Sequence, residues 1–319
     1  MTLTDARLTS RQPPTTGPVL FARYAFPPNS HGYCGPGDNV GFLQLGVAGD
    51  DRGLRAMARE FAGAWPYLEL IAHGTGLDDP LDRRVVEAYW VGSPRLDRIG
   101  VRAAAAFDLN AACAGFCYGL GLASDMIRAG SAQHVLVIGA EKLSDWVDPM
   151  DRSTCIIFAD GAGAAVLGPA ADHEEPGIGP IAAGSAGELV NTIVVADRNS
   201  FIYQEGQEVY RWAITKIAPV ALRALELAGI APIDVDVLVP HQANLRIVEA
   251  IAKRLRAAGA REDMVVADDI VHSGNTSSAS IPLALDHMRA EGRVSSGDLA
   301  LLVGFGAGLS YAGLAVILP

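Results

Sequence analysis

The stretch FDLNAACAGFCYGLGLASDMIRAG, residues 107–130, decides how this chain is read. It suits a short strand over 107–109 that runs directly into a helix over 113–129, which places Cys113 at the junction. A cysteine held there meets the free N–H groups and the positive dipole end of the helix, which favour thiolate over thiol. Its neighbours Ala111, Ala112, Ala114 and Gly115 are small, so a substrate group can approach the sulfur closely. For a lone cysteine in an alanine-rich helix, a buried structural thiol is the commoner outcome. What decides between the two is whether Cys113 has partners.

The whole chain sets the bounds. Its 319 residues exceed what one hydrophobic core usually serves, so two domains or one duplicated fold is the expectation. Half the residues are hydrophobic and only 19% are charged, the mark of a large, well-buried globular protein. A net charge of −11 argues against nucleic acid as a general partner, because neutralising phosphates needs basic surface. It leaves room for a local basic patch that meets one acidic partner. The cysteines, Cys34, Cys113, Cys117 and Cys155, contain no C-x-x-C pair, and no His/Asp/Glu group has metal-ligand spacing, so no metal is expected. Free thiols in a reducing compartment are the simpler account. The opening MTLTDARLTSRQPPTTG lacks the apolar run of a signal peptide and reads as a flexible arm. No stretch is long enough to span a bilayer. A soluble, cytoplasmic protein is expected.

Outward from Cys113, the two sides differ in texture. Residues 18–53 are rich in glycine and proline and read as loop; 54–68 and 81–90 read as helical, and no strand is expected over 52–96. From Val101 the pattern changes. HVLVIGA (134–140) reads as a fully buried strand of the parallel type. GAGAAVLG (161–168) is a strand crowded by glycines, 172–187 a loop and 191–195 a strand. A long amphipathic helix ends at Gly229, and VDVLVP (235–240) is a strand that stops just before His241. After a further helix, GNTSSASIPLALDHMRAEG begins a helix capped near Asn275, and strands over 299–303 and 311–317 close the chain. The parts around Cys113 recur in order over 270–317, with Asn275 placed much as Cys113 is. The fold expected is α/β, a layered arrangement of two pseudo-repeated halves. The divisions expected are an atypical, mostly helical and loop segment over 1–100, the rest of the first half over 101–172, and the second half over 173–319.

Cys113, His241 and Asn275 all stand at strand ends or strand–helix junctions, where ligand sites gather in α/β sheets. Taken singly, His241 reads equally as a satisfied core histidine and Asn275 as a helix N-cap.

Together the residues identify a family. AFDLNAACAGFCYGL, DRSTCIIFADGAGAAVLG, VPHQANLRIVEAIAKRL, HSGNTSSASIPLAL and GFGAGLSYAG resemble the successive signatures of the β-ketoacyl-acyl-carrier-protein synthase III family, over residues 101–319. The resemblance implies a thiolase fold of two similar halves, homodimeric, that starts bacterial fatty-acid synthesis. It implies Cys113 as a nucleophile that takes an acyl group from acyl-CoA as a thioester. His241 and Asn275, as neutral donors, would stabilise the enolate formed when malonyl-acyl-carrier protein loses carbon dioxide. The backbone N–H groups of Cys113 and Ala307 would form the oxyanion hole. Arg152, Gly206 and Asn244 match positions that hold CoA or its pantetheine arm. Gln242, Arg246, Arg211, Lys253 and Arg254 would dock the acidic carrier protein. Acyl-CoA enters as substrate, and no cofactor is implied.

Residues 1–100 do not resemble this family. Its glycine-bearing first strand, its segment with tryptophan and arginine and its buried strand of the DLIIVAT kind are missing. FARYAFPPNSHGYCGPGD and VVEAYWVGSPRLDRI instead resemble an uncharacterised bacterial family, so the junction near Gly100 reads as a fusion. Strands over 107–109 and 134–140 would then lose neighbours and leave unpaired edges, predicting weak or absent condensation. The rivals are a relative that handles polyketide starters or longer acyl groups, and a non-catalytic scaffold.

Overall fold

The computed structural model describes residues 16–25 and 45–46 by their backbone pairing, and residues 107, 109–170, 177–196 and 200–319 in full. Cys34, the helices expected over 54–68 and 81–90, and the division at 172 lie outside the described residues.

Two sheets carry the fold. In the first, β1 (Thr16–Ala25), β2 (Leu45–Gly46), β3 (Val135–Glu141) and β4 (Gly161–Pro169) lie in the order β2-β1-β4-β3, every pair antiparallel. The second contains β5 (Ala182–Ser185), β8 (Val237–Pro240), β9 (Val265–Val266), β10 (Leu299–Gly306) and β11 (Ser310–Ile317), in the order β5-β11-β10-β8-β9. Its β8–β10 and β8–β9 pairs are parallel and the others antiparallel. A small ribbon joins β6 (Ile193–Val194) to β7 (Tyr203–Gln204).

The helices fill the layers. Helix α1 (Gly115–Arg128) and helix α5 (Ser280–Ala290) lie between the sheets. Phe116, Leu120 and Ile127 of α1 and Ile281, Leu285 and Met288 of α5 share one core with Leu167 of β4, Val237 and Val239 of β8, and Leu302 of β10. Helices α2 (Gly206–Ala228) and α3 (Leu245–Ala257) cover the other face of the second sheet, where Ile217, Leu225, Ile251 and Leu255 meet Leu238, Leu301 and Val303. The alternation Leu301/Leu302/Val303 thus divides one strand between two cores, the period-two rule of a sheet covered on both faces. Helix α2 ends where the sequence marks it, at Gly229 in the left-handed region with φ 70°. Between β9 and α5 runs a single helical turn, α4 (Ile270–Ser273).

Several expectations need correcting. Residues 16–25, read as arm and loop, form β1, which pairs along β4 from Val19↔Leu167 to Ala25↔Gly161. The run PVLFARYA alternates weakly and sits among glycines and prolines, and only the open edge of β4 turns it into a strand. Phe107 and Leu109 are exposed and not in a strand. The strand of 134–140 is antiparallel and half-buried, at the edge of its sheet with β4 as its one described neighbour. β5 interrupts the expected loop over 172–187, and the expected strand over 191–195 is a 3-10 turn followed by the two residues of β6.

The repeat is present, in a different register. Ala112–Ala114 and Ser277–Ala279 are both 3-10 turns that lead into the inner helices. The first residue of each has positive φ, 46° at Ala112 and 50° at Ser277. Asn110 Oδ1 accepts from the Ala112 N–H at 3.3 Å, as Asn275 Oδ1 does from the Ser277 N–H at 2.9 Å. The counterpart of Cys113 is therefore Ser278, and that of Asn275 is Asn110. Both asparagines shape the turn that presents the residue three positions on.

The glycine at 139 lets β3 pass close to the second of these turns. A Cβ there would lie 2.9 Å from both the carbonyl carbon and oxygen of Ser278. Gly139→Ala is expected to lower stability by about 1–3 kcal/mol, because backbone rather than a pliable side chain must give way. Urea unfolding of the two proteins measures this.

Candidate active site

Cys113 sits in the 3-10 turn, two residues before α1, against the end of β10. A Cβ on Gly306 would stand 2.8 Å from its sulfur, so only a bare backbone fits beside the thiol. The backbone N–H groups of Cys113 itself and of Ala307 lie near Sγ, close enough to favour a negative charge there. Ala307 opens the turn that follows β10 and is not among the residues with positive φ, so alanine serves there as a backbone donor without strain. The Ser277 hydroxyl also lies beside Sγ.

Ser277 is the node of the site. Its N–H goes to Asn275 Oδ1, its carbonyl faces the His241 ring, and its hydroxyl faces both Cys113 and the Glu141 carboxyl. Residues from sequence positions 113, 241 and 275 are thus brought together through a fourth. Sequence reasoning passed over Ser277, although it stands in the quoted GNTSSAS motif, because a serine after a capping asparagine is an ordinary helix-start residue.

His241 follows β8 and continues its pairing, donating its N–H to the Val303 carbonyl at 2.8 Å. The ring packs edge-on against Phe305 and is 1% exposed. Its Nδ1 meets Ser280 Oγ at 2.7 Å, and that oxygen already accepts from the Gln242 N–H at 3.2 Å. Ser280 is therefore assigned as donor to Nδ1, leaving the ring proton on Nε2. Burial pulls the imidazole down to about 3, against the opposing pull of the Ser277 carbonyl, so it is neutral at physiological pH.

Asn275 is stitched to the first half. Its N–H donates to the Ile157 carbonyl and its own carbonyl accepts from Ala159, both at 2.9 Å. Gly274 before it has φ 70° and ψ −169°, a region that essentially only glycine occupies, and this turns the chain into the site.

The thiol itself is not what a helix start alone suggests. Enclosure by protein pushes Cys113 up to about 12, and the nearby Glu141 charge adds to the rise. The three donors from Ser277, Cys113 and Ala307 pull the other way and lose. Desolvation of a thiolate outweighs partial backbone charges, and Cys113 precedes α1 rather than capping it. The residue keeps part of its surface accessible, as an attacking sulfur must. Cys117, one turn on, is wholly buried and sits against Gly304.

The expected binding residues fare differently. Arg152 is exposed in the turn between β3 and β4, and Gly206 is exposed at the start of α2 with open space where a Cβ would stand. Asn244 is the N-cap of α3, its Oδ1 taken by the Arg246 N–H at 2.9 Å. Arg211 on α2 and Arg246, Lys253 and Arg254 on α3 are all exposed. Arg254 reaches across to the Thr215 carbonyl of α2, which sets it on the same face as Arg211. Gln242 must be removed from this group. It is fully buried, its amide donating to the Pro240 carbonyl at 2.7 Å and accepting from the Ile270 N–H at 3.0 Å, a brace rather than a surface. Among the described residues, no cluster of three or more His, Cys, Asp or Glu could hold a metal, and no helix is long and apolar enough to cross a membrane.

Two inner helices between sheets, entered through twin turns with Cys113 in one of them, define a thiolase-like fold. Comparison with known proteins agrees. The family described as 3-oxoacyl-[acyl-carrier-protein (ACP)] synthase III matches residues 107–187, and its C-terminal counterpart residues 225–318. A family of unknown function, DUF6390, matches residues 13–138 and overlaps the first of these. The chain is 50% identical over 222 residues to beta-ketoacyl-[acyl-carrier-protein] synthase III 4 of Streptomyces coelicolor, covering 70% of this chain and 69% of that protein. It is 49% identical to the mycobacterial synthase III of Mycobacterium tuberculosis, covering 69% and 68%. Among solved structures, the priming beta-ketosynthase of the R1128 polyketide pathway superposes with a TM-score of 0.65 at 42% identity, over 76% of this chain and 71% of that one. A 3-oxoacyl-(acyl-carrier protein) synthase from Burkholderia xenovorans shares the fold over 97% of this chain, at a TM-score of 0.69 and 20% identity. The chain belongs to the β-ketoacyl-acyl-carrier-protein synthase III family of condensing acyltransferases.

Buried, neutral His241 carries a pH signature. An unfolded imidazole takes up a proton below about 6.5, whereas the folded one stays neutral to about 3. Stability present at neutral pH is therefore lost as pH falls through that window, by about 1.4 kcal/mol per unit. The stability difference between pH 7 and pH 5 is expected to shrink by about 2 kcal/mol in His241→Asn, measured by denaturant unfolding at both values.

Proposed function

We propose that this chain transfers an acetyl or short branched acyl group from acyl-CoA to Cys113 and condenses it with malonyl-acyl-carrier protein. The observation that carries this is the meeting of Cys113, His241 and Asn275 around Ser277, with two backbone N–H groups near the sulfur.

In this reading the Cys113 sulfur attacks the acyl-CoA carbonyl, and the N–H groups of Cys113 and Ala307 hold the oxyanion until the CoA sulfur leaves. The malonyl thioester then loses carbon dioxide, and the bonding electrons pass into its carbonyl as an enolate. Neutral His241 and the Asn275 amide donate to that oxygen. A permanently charged imidazolium would bind the malonyl carboxylate instead of favouring its loss, so the low pKa of His241 suits the task. The enolate carbon attacks the Cys113 thioester, forming the new bond and returning the sulfur to the enzyme.

Around this centre, Arg152, Gly206 and Asn244 would hold CoA and the pantetheine arm, no further cofactor being needed. The exposed Arg211, Arg246, Lys253 and Arg254 would meet the acidic carrier protein. We place the protein in the cytoplasm as a homodimer, by its family resemblance. The unusual N-terminal segment and the edge position of β3 argue for slow turnover, since the family's own first-sheet strands are replaced. A polyketide-starter role is the second reading, favoured by the likeness to the R1128 priming ketosynthase.

Mass spectrometry of the full chain after incubation with acetyl-CoA should find one acetyl group, on Cys113 and not on Cys117 or Cys155, and none in Cys113→Ala. Adding malonyl-acyl-carrier protein should discharge it at a low rate, and at least tenfold more slowly in Asn275→Ala. Absence of acetyl on Cys113, with a folded protein, would overturn the proposal.

A further inference from the structure

One enclosed polar group is not used by that chemistry. Glu141 ends β3, and its carboxyl turns toward the second half of the fold. There Oε1 accepts from Ser278 Oγ at 2.6 Å and from the Ser278 N–H at 3.3 Å. One oxygen thus takes both donors of this serine, across 137 residues of chain. Gly139, on the same face of β3, has no side chain and lets the strand lie this close to the turn. The two bonds join the halves at the entrance turn of α5, the counterpart of the turn that presents Cys113.

What that turn holds is the Asn275 amide. The main chain of Asn275 is fixed by the first half, through Ile157 and Ala159. Its side chain is oriented by the turn instead. Oδ1 accepts from the Ser277 N–H at 2.9 Å, which leaves the two amide N–H donors for the site. Ser277 keeps this place with φ 50°, a conformation unfavourable to a non-glycine residue that relaxes unless its neighbours prevent it. In a relaxed turn the peptide between Thr276 and Ser277 rotates and carries its N–H away from Oδ1.

We infer that Glu141 is a positioning residue for the condensation step: by holding Ser278 it keeps Ser277 in the left-handed region, and so aims the Asn275 amide at the enolate oxygen. It does so with an acceptor oxygen rather than with charge. Burial raises the carboxyl above its usual range, and Oε1 accepts these two bonds whether or not Oε2 carries a proton. A negative charge would oppose a developing enolate, so its removal alone would speed condensation.

The inference rests on the condensing reaction proposed above, and the two half-reactions test it separately. Cys113 acetylation by acetyl-CoA is followed by mass spectrometry of the full chain. Condensation is followed in a single turnover, with acetylated protein and malonyl-acyl-carrier protein. In Glu141→Ala, condensation should fall by at least about tenfold while acetylation stays within about threefold of wild type, because the Asn275 amide serves only the second step. Glu141→Gln, which keeps the acceptor oxygen, should stay within about threefold in both. In an Asn275→Ala background, Glu141→Ala should cost less than about twofold more, since the group it positions is gone.

A condensation rate in Glu141→Ala less than about tenfold below wild type overturns the inference. So does a matching loss in both half-reactions, which marks a merely structural role, or a Glu141→Gln that fails as Glu141→Ala does. If Glu141→Ala does not fold by circular dichroism, Ser278→Ala, which removes the shorter bond, is held to the same split. A wild-type protein that takes no acetyl refutes the transferase reading instead. Amide hydrogen exchange of Ser277 and Ser278 then decides on the clamp by itself: exchange at least about tenfold faster in Glu141→Ala than in wild type upholds it, and a smaller change overturns it.

Discussion

The site depends on one residue held in an unfavourable backbone conformation. Ser277 has φ 50°, which costs a non-glycine residue on the order of 1 kcal/mol and persists only where the surroundings over-determine it. Here they do. Asn275 Oδ1 takes its N–H, the following turn leads straight into α5, and β3 passes close against Ser278 through Gly139. In return the left-handed turn sends the carbonyl toward His241 and the hydroxyl toward Cys113 and Glu141. An extended or helical Ser277 would send one of these elsewhere. The corresponding residue in the first half, Ala112, has the same conformation with nothing on its side chain, and presents Cys113 instead. One turn geometry, used twice, supplies the nucleophile in one half and its surroundings in the other.

The resting site is electrically quiet. His241 is neutral, the Cys113 thiol is protonated, and burial raises the Glu141 carboxyl above its usual range against the pull of two hydrogen bonds from Ser278. Reactions that create an oxyanion and then an enolate gain most when the donors are already aimed and the enclosure is dry, since little reorganisation is needed as charge appears. The same enclosure opposes a free-standing thiolate. A cysteine at a helix start is activated by local backbone charge only while it remains partly hydrated, and in this protein packing of β10 against the turn outweighs that effect.

The layers explain why these groups meet. α1 and α5 lie side by side between the sheets, so their entrance turns fall at the same end of the molecule, beside the ends of β8 and β10. His241 follows the former and Ala307 the latter. The glycines of β3 and β4 bring the first sheet close enough to touch α5 and its turn, where a Cβ on Gly163 would lie 2.7 Å from Pro282. Sheet register at β3, which puts residues 139 and 141 on one face, then decides that Glu141 is an inner residue.

Much of this was legible in the sequence because it is local. The long helix ending at Gly229, the strand stopping before His241, the glycine-crowded strand over 161–168 and the order of motifs that marks the family each depend on residues close together in the chain. So does the choice of Cys113, His241 and Asn275. What sequence reading misplaced depends on neighbours far away in the chain. β1 is a strand because β4 offers it an edge. Gln242 is a brace because Ile270 and Pro240 enclose it. The repeat aligns Cys113 with Ser278 rather than Asn275 because both turns share a left-handed first residue, which no residue type announces. The sequence alone determined the family and the order of its motifs, through hydrophobic period and motif spacing. Only the tertiary structure decided the burial of Cys113 and His241 and the meeting of Glu141 with Ser278, because burial and proximity across 137 residues of chain are properties of packing.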